Sequence, residues 1–216
     1  MSDAPILALD ASAGGASVAL LRGTTVLDEA TLARQGSAES LAPAITAILG
    51  RAALPVSALG AIVVGMGPGS FTGLRVSAAL AAGLAHGAGI PVRLVSSLSL
   101  IVAGSAPALE PGPYVAVLDA LRGDWFAQRC TLGSDGTVTI DGPRSLTSRE
   151  QVLASAASEG RAVVGPPVDA GRHPHARGAM RLVAVDAGAG WEPDYGRLAE
   201  AQVQWEAANG RPLPAA

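Results

Sequence analysis

One short phrase occurs twice in this chain, about half a chain length apart. Asp10-Ala11-x-x-Gly14 and Asp119-Ala120-x-x-Gly123 each follow an apolar run, Ile6 to Leu9 and Tyr114 to Leu118. Each precedes a returning run, Ala16 to Leu21 and Asp124 to Thr131. A third run follows after a further turn, Val26 to Thr31 in the first half and Val138 to Ile140 in the second. Apolar runs broken by Gly and Asp turns predict a β-meander. Two copies of it predict an internal duplication of one α+β unit. The Pro/Gly-rich stretch Ala106 to Pro113 is the natural linker, which divides the chain into units 1–107 and 108–216.

Helices are expected between the meanders. Ser40 to Arg51 carries Leu41, Ala44, Ile45, Ile48 and Leu49 on one stripe, the spacing of a helix with one buried face. Ser37 or Ser40 is placed to cap it, and Pro43 falls in the expected first turn, where proline is tolerated. A second, Ala-rich helix is expected over Val76 to His86, and a third from the Ser96-Ser97 cap to Ala103. In the second half, Thr147-Ser148-Arg149-Glu150 reads as a capping box opening a helix to Ser158. Ala162 to Val164 reads as a strand and Pro166-Pro167 as a break. Pro174 to Ala187 allows a strand at Val183-Ala184-Val185, but Ala176, Ala179, Met180 and Val183 favour a helix.

Composition excludes several classes. With 49% hydrophobic and 15% charged residues in 216, the chain has material for a large core and is expected to be globular. Only 3% are aromatic, so that core must come from Ala, Val, Leu and Ile. The net charge is −3, and the basic residues are all Arg, spread without a basic block. Gripping a nucleic-acid backbone unaided requires clustered positive charge, so any contact with RNA is expected to come mainly from a partner. The lone Cys130 fits a reducing compartment. The expectation is a cytoplasmic protein: Met1 to Pro5 lacks the basic start of a signal peptide, and no uninterrupted apolar run reaches membrane-spanning length.

The densest local signal is Gly65-Met66-Gly67-Pro68-Gly69-Ser70-Phe71-Thr72-Gly73-Leu74-Arg75, between the apolar run Ala61 to Val64 and the Ala-rich helix. A strand-to-helix turn can aim backbone N–H groups at an anion or a partner. Three familiar chemistries do not fit it. A phosphate-binding P-loop needs a Lys after its last Gly, and the chain contains no Lys. A nucleophile elbow needs Ser at the centre of Gly-x-Ser-x-Gly, where Phe71 stands. A dinucleotide fingerprint needs a small residue after Gly-x-Gly-x-x and an acid ending the next strand; Thr72 and Ser96 stand there.

Other catalytic constellations are also missing. Of three histidines, His86 ends a helix, and His173 and His175 sit in a Pro/Gly-rich loop read as solvated. None has the spacing of a helical metal pair, so no metal site and no cofactor are expected. Cys130, inside an expected strand, reads as a buried inert thiol. No residue is assigned a catalytic role.

Gly67-Pro68-Gly69-Ser70-Phe71-Thr72-Gly73-Leu74-Arg75 resembles the signature of the TsaB (YeaZ) family, bacterial subunits of the machinery that makes threonylcarbamoyladenosine in tRNA. Ile6 to Asp10, Leu41-x-Pro43, Ile90-Pro91-Val92, Ser96-Ser97-Leu98, the Asp119-Ala120 hairpin and Pro193-x-Tyr195-x-Arg197 extend the resemblance along most of the chain. It implies an actin-like ATPase (ASKHA, ribonuclease H-like) fold with two duplicated lobes and a degenerate nucleotide site. Asp10 and Ser12 would be the remains of one phosphate turn, and Asp119 of the other. It also implies a non-catalytic scaffold that binds a TsaD-type catalytic paralogue, works with a TsaE-type ATPase, and meets tRNA only through the complex. The partner surface would be the first two helices: Leu41, Ile45, Ile48, Val76, Ala78, Ala79, Ala82 and His86. A homodimer through the same face is the counterpart in isolation. The alternative is a stand-alone actin-like nucleotide-binding enzyme of the small-molecule kinase type. Two departures from the family pattern, Ser37 in place of a His and Leu121 in place of an Arg, weaken a nucleotide role.

Overall fold

A computed structural model describes residues 4–33, 37–196, 205 and 208–210. Three strands open the chain: β1 (Ile6–Asp10), β2 (Ala16–Arg22) and β3 (Thr25–Leu32). Then come α1 (Ser37–Arg51), β4 (Ala61–Gly65), α2 (Phe71–Ala88), β5 (Val92–Val95) and α3 (Ser97–Ala103). The second series is β6 (Gly112–Asp119), β7 (Asp124–Leu132), β8 (Val138–Ile140), β9 (Ser145–Ser148), α4 (Arg149–Ser158) and β10 (Ala162–Val164). A 3₁₀ turn at Ala176–Arg181 and the short β11 (Val185–Asp186) follow.

The strands form two sheets, ordered β11-β5-β4-β1-β2-β3 and β10-β6-β7-β8, with β9 also on β7. The duplication shows in this topology. β1 pairs antiparallel with β2 and parallel with β4. β6 likewise pairs antiparallel with β7 and parallel with β10. In each copy a helix precedes the parallel strand, the connection a parallel pair requires. Asp10 ends β1 and Asp119 ends β6, so the repeated phrase lands on equivalent strand ends. This is an α/β fold built of two α+β lobes that repeat one strand order.

The molecule is layered. Helices α1 and α2 cover one face of the first sheet, with Leu41, Ile45, Ile48 and Ala81 packed on Leu7, Leu9, Val18, Leu20 and Ile62. The other face, with Ala8, Ala19, Leu21 and Val63, meets Leu100 of α3 and Ala176 and Ala179 of the 3₁₀ turn. All seven residues of α3 are buried, because its far side, Leu98, Ile101 and Val102, packs on Tyr114, Ala116, Leu118 and Phe126 of the second sheet. A helix buried on all sides belongs between two layers. The outer face of the second sheet is covered by α4 through Val152 and Ala156.

Several boundaries differ from the expected ones. Helix α1 begins at Ser37, so Ser40 is inside it and Pro43 lies beyond the first turn. Helix α2 begins at Phe71, five residues before Val76, because the Ser70 hydroxyl caps it by accepting the N–H of Gly73 at 3.4 Å. The cap of α4 is Ser148, whose hydroxyl accepts from Gln151 N; Thr147 instead contributes to β9. Pro174 to Ala187 is not one helix. Its apolar stripe is served by the 3₁₀ turn, and the Val183–Val185 stretch contributes the edge strand β11 against β5. The expected second unit ran to residue 216; within it, residues 176–186 pack on the first sheet.

Candidate functional site

Three elements converge at the end of β1: the Asp10 turn, the signature loop before α2, and the start of α3. Asp10 is 2% exposed, and its carboxylate is fully engaged. Oδ1 accepts the N–H and hydroxyl of Ser12 at 3.0 and 2.8 Å, and Oδ2 accepts the Ser97 hydroxyl at 2.6 Å. Ser97 Oγ in turn accepts the N–H of Gly67 at 3.0 Å, and Ser97 N donates to the Gly67 carbonyl at the same distance. Burial pushes the Asp10 carboxyl above its ordinary range, and the hydrogen bonds from Ser97 and Ser12 offset part of that rise.

The signature loop lies backbone against backbone on this turn. Ser70 N donates to the Ser12 carbonyl at 2.6 Å. A Cβ on Gly69 would overlap the Ser12 carbonyl, and one on Gly73 would overlap the Ala11 carbonyl. The loop is therefore glycine-rich because two chain segments approach closer than any side chain allows. The first hairpin turn is packed from behind by its own chain.

Beyond the glycines, Phe71, Thr72 and Arg75 project outward from the first turn of α2. The Arg75 guanidinium stacks 3.8 Å from the Phe71 ring centroid, and Arg75 Nε donates to the Tyr195 hydroxyl at 3.1 Å. Tyr195 lies 4.8 Å from Phe71, ring to ring. Sequence reasoning placed Tyr195 in the Pro193-x-Tyr195-x-Arg197 motif but did not connect it to Arg75. Arg197 of the same motif lies outside the described residues.

The second turn is looser. Asp119 Oδ1 accepts the N–H of Leu121 at 2.8 Å, but Asp119 is exposed. Leu121, 70% exposed, and Arg122 both adopt left-handed backbone, at φ 65° and 58°, a conformation that costs non-glycine residues energy. No cluster of three or more His, Cys, Asp or Glu able to hold a metal occurs among the described residues. Cys130 is buried and its thiol is pushed up to about 11 by desolvation, so it is un-ionised and inert at neutral pH. His175 is not solvated: it caps the 3₁₀ turn and contacts the Thr31 hydroxyl at 2.9 Å. Burial, with a smaller contribution from Arg177, depresses it to about 4.

The expected partner residues divide in two. Leu41, Ile45 and Ile48 are buried against the first sheet and offer nothing to a partner. They are the inward stripe that every amphipathic helix needs, and periodicity alone does not distinguish the two faces. Val76 and Ala78 are half-buried, whereas Ala79, Ala82 and His86 are exposed. The outward face of α2 also holds Gly83 and Gly87, and that of α1 holds Ala42, Pro43, Thr46, Ala47 and Gly50. An open groove of about 310 Å³ runs beside α2, lined by Val56, Ser57, Gly83, Leu84, Gly87 and Ala88.

Residues 30–158 match the family model described as TsaD: tRNA N6-adenosine threonylcarbamoyltransferase. The TsaB protein of Haemophilus influenzae is 38% identical over 59% of this chain and 55% of its own length. That of Escherichia coli is 33% identical over 56% of the chain and 52% of its own. The chain belongs to this family, on its TsaB (YeaZ) branch. The match spans about half the length of these curated relatives. Among solved structures, a Pseudomonas aeruginosa protein described as similar to peptidase YeaZ superposes with a TM-score of 0.73 at 26% identity, covering 90% of this chain and all of that one. YeaZ from the same organism superposes with a TM-score of 0.68 at 23% identity, over 98% of this chain and all of that one, a likeness of fold.

Proposed function

We propose that the protein is a non-catalytic subunit that binds a TsaD-type paralogue and supports threonylcarbamoyl transfer to the adenosine beside the anticodon of tRNA. The observation that carries this reading is the outward face of α1 and α2. Two adjacent helices present Ala42, Pro43, Thr46, Ala47, Ala79, Ala82 and Gly83 to solvent, a surface too small-sided to be stabilised by hydration and shaped for close helix packing. The relatives' names supply the pathway.

The site argues for the non-catalytic part. A carboxylate that binds a metal-nucleotide must face the cleft, and Asp10 spends both oxygens on Ser12 and Ser97. Asp10 and Asp119 are thus turn-closing residues, and the isolated chain turns over no nucleotide. A TsaE-type ATPase and tRNA join through the complex, the chain's −3 charge giving it little hold on RNA alone. The protein works in the cytoplasm; no helix among the described residues is long and apolar enough to cross a membrane.

The test is co-purification with the TsaD-type paralogue from the same genome. Ala82→Glu should abolish the complex while the melting temperature of the isolated chain stays within a few degrees, because a charge buried at a helix–helix contact is left unpaired. Unchanged affinity in a folded Ala82→Glu protein would remove this face from the interface.

A further inference from the structure

The chain passes from the first sheet to the second through β5, α3 and β6, and returns through the 3₁₀ turn to β11 on β5. The segment Trp191 to Gly196 adds a further tie between the lobes, at the signature loop. On the first lobe, Trp191 packs on the α1–α2 core, and Asp194 N donates to the Met66 carbonyl at 2.7 Å. The fit is close enough that a Cβ on Gly67 would overlap the Asp194 carbonyl. Tyr195 then lies on Phe71 and accepts from Arg75.

On the second lobe, Asp194 Oδ2 pairs with Arg144 Nη2 at 3.1 Å. A Cβ on Gly196 would run into the Phe126 ring and the Arg144 guanidinium, and Arg144 itself sits 5.6 Å over that ring. Asp194 Oδ1 accepts the N–H of Gly196 at 2.8 Å, which folds the strap back on itself. A single residue, Asp194, therefore holds the signature loop by its backbone and the second sheet by its side chain.

We propose that Trp191–Gly196 is a latch that fixes the angle between the lobes and holds the signature loop in its packed shape. The latch makes lobe angle a constant of this molecule. The inference is independent of partner identity, since it concerns the isolated chain.

Spin labels test it. Cys130, the one native cysteine, is fully buried, so Thr24→Cys on the first lobe and Ser134→Cys on the second, both exposed, can be labelled selectively. Labelled protein diluted in unlabelled protein removes distances between copies. The expected result is one narrow label-to-label distance, with a distribution at least twice as wide in Arg144→Ala and in Tyr195→Ala. Should either fail to fold, Asp194→Asn carries the test. It keeps the main-chain bond to Met66 and loses the charge facing Arg144. A broad distribution in the otherwise unmodified protein, or an unchanged width in the folded variants, overturns the latch.

Discussion

Asp10 and Asp119 make the same hydrogen bond at the same place in the two lobes. Each ends the first strand of a hairpin, and Oδ1 of each accepts the N–H two residues on, at 3.0 and 2.8 Å. What differs is the surroundings. The Asp10 turn is backed by the signature loop and by Ser97, and the Asp119 turn is open. The two turns are alike, and the glycine loop covers only the first.

Burial of the first turn predicts a pH dependence of stability. The Asp10 carboxyl is raised in the fold above its unfolded value near 3.8. The folded state then binds the proton over a window in which the unfolded chain has lost it, so stability falls as pH rises through that window. Asp10→Asn should remove the fall, and its stability relative to wild type should increase from pH 4 upward, by about 1.4 kcal/mol per tenfold change in the carboxyl's acidity. Urea titrations at a series of pH values measure this. The same variant should still support the partner. If Asp10→Asn folds, binds the paralogue and yet abolishes tRNA modification, Asp10 has a chemical role.

Much of this arrangement was legible in the residues, and the reason is locality. The strands Val138–Ile140 and Ala162–Val164 fall on the expected bounds, and the two Asp turns sit on equivalent strand ends. Such features depend on apolar runs and turn residues a few positions apart. What the residues did not disclose depends on contacts between distant segments. Tyr195 meets Arg75 across 120 positions, and His175 meets Thr31 across 144. No periodicity encodes such pairs. The orientation of α1 was hidden for another reason: Leu41, Ile45 and Ile48 form an apolar stripe whether it faces a sheet or a partner.

The His175 cluster predicts the acid limb of stability. Held near 4 in the fold against about 6.5 in the unfolded chain, His175 stays neutral while the unfolded state protonates. Its contribution is present above pH 6.5 and is lost as pH falls toward 4. Arg177, the charge nearest it, pairs with Glu29. His175→Gln should flatten the loss between pH 6.5 and 4 in thermal melts. An unchanged acid limb would mean the ring is solvated.

Core and surface residues of the same helix should separate cleanly. Leu41→Ala deletes a fully buried side chain and should cost about 2–5 kcal/mol. Ala47→Ser, on the opposite face of α1, should stay within about 0.5 kcal/mol. Chemical denaturation of the isolated chain reads both. Near-equal values would mean that α1 is not packed on the sheet as described.

Glycine supplies the sharpest contrast. At Gly73 an added methyl would overlap the Ala11 carbonyl, whereas at Gly83 it would meet nothing within 4 Å. Both lie inside α2. Gly73→Ala should therefore destabilise the isolated chain, since backbone must move to admit the methyl group. Gly83→Ala should stabilise it by about 0.5–1 kcal/mol, the helix-propensity difference between the two residues. In a chain of this size that corresponds to a rise of roughly 1–4 °C in melting temperature. A glycine that the monomer does not need, on a helix it weakens, points to a use outside the monomer. If another helix packs against that face, the same Gly83→Ala substitution that stabilises the chain should weaken the paralogue complex about tenfold, because the methyl group holds the two backbones apart. Calorimetry on the isolated protein and titration with the paralogue give the two signs separately. A variant that gains stability and binds with full affinity would place the closest helix approach elsewhere, at Ala79 or Ala82.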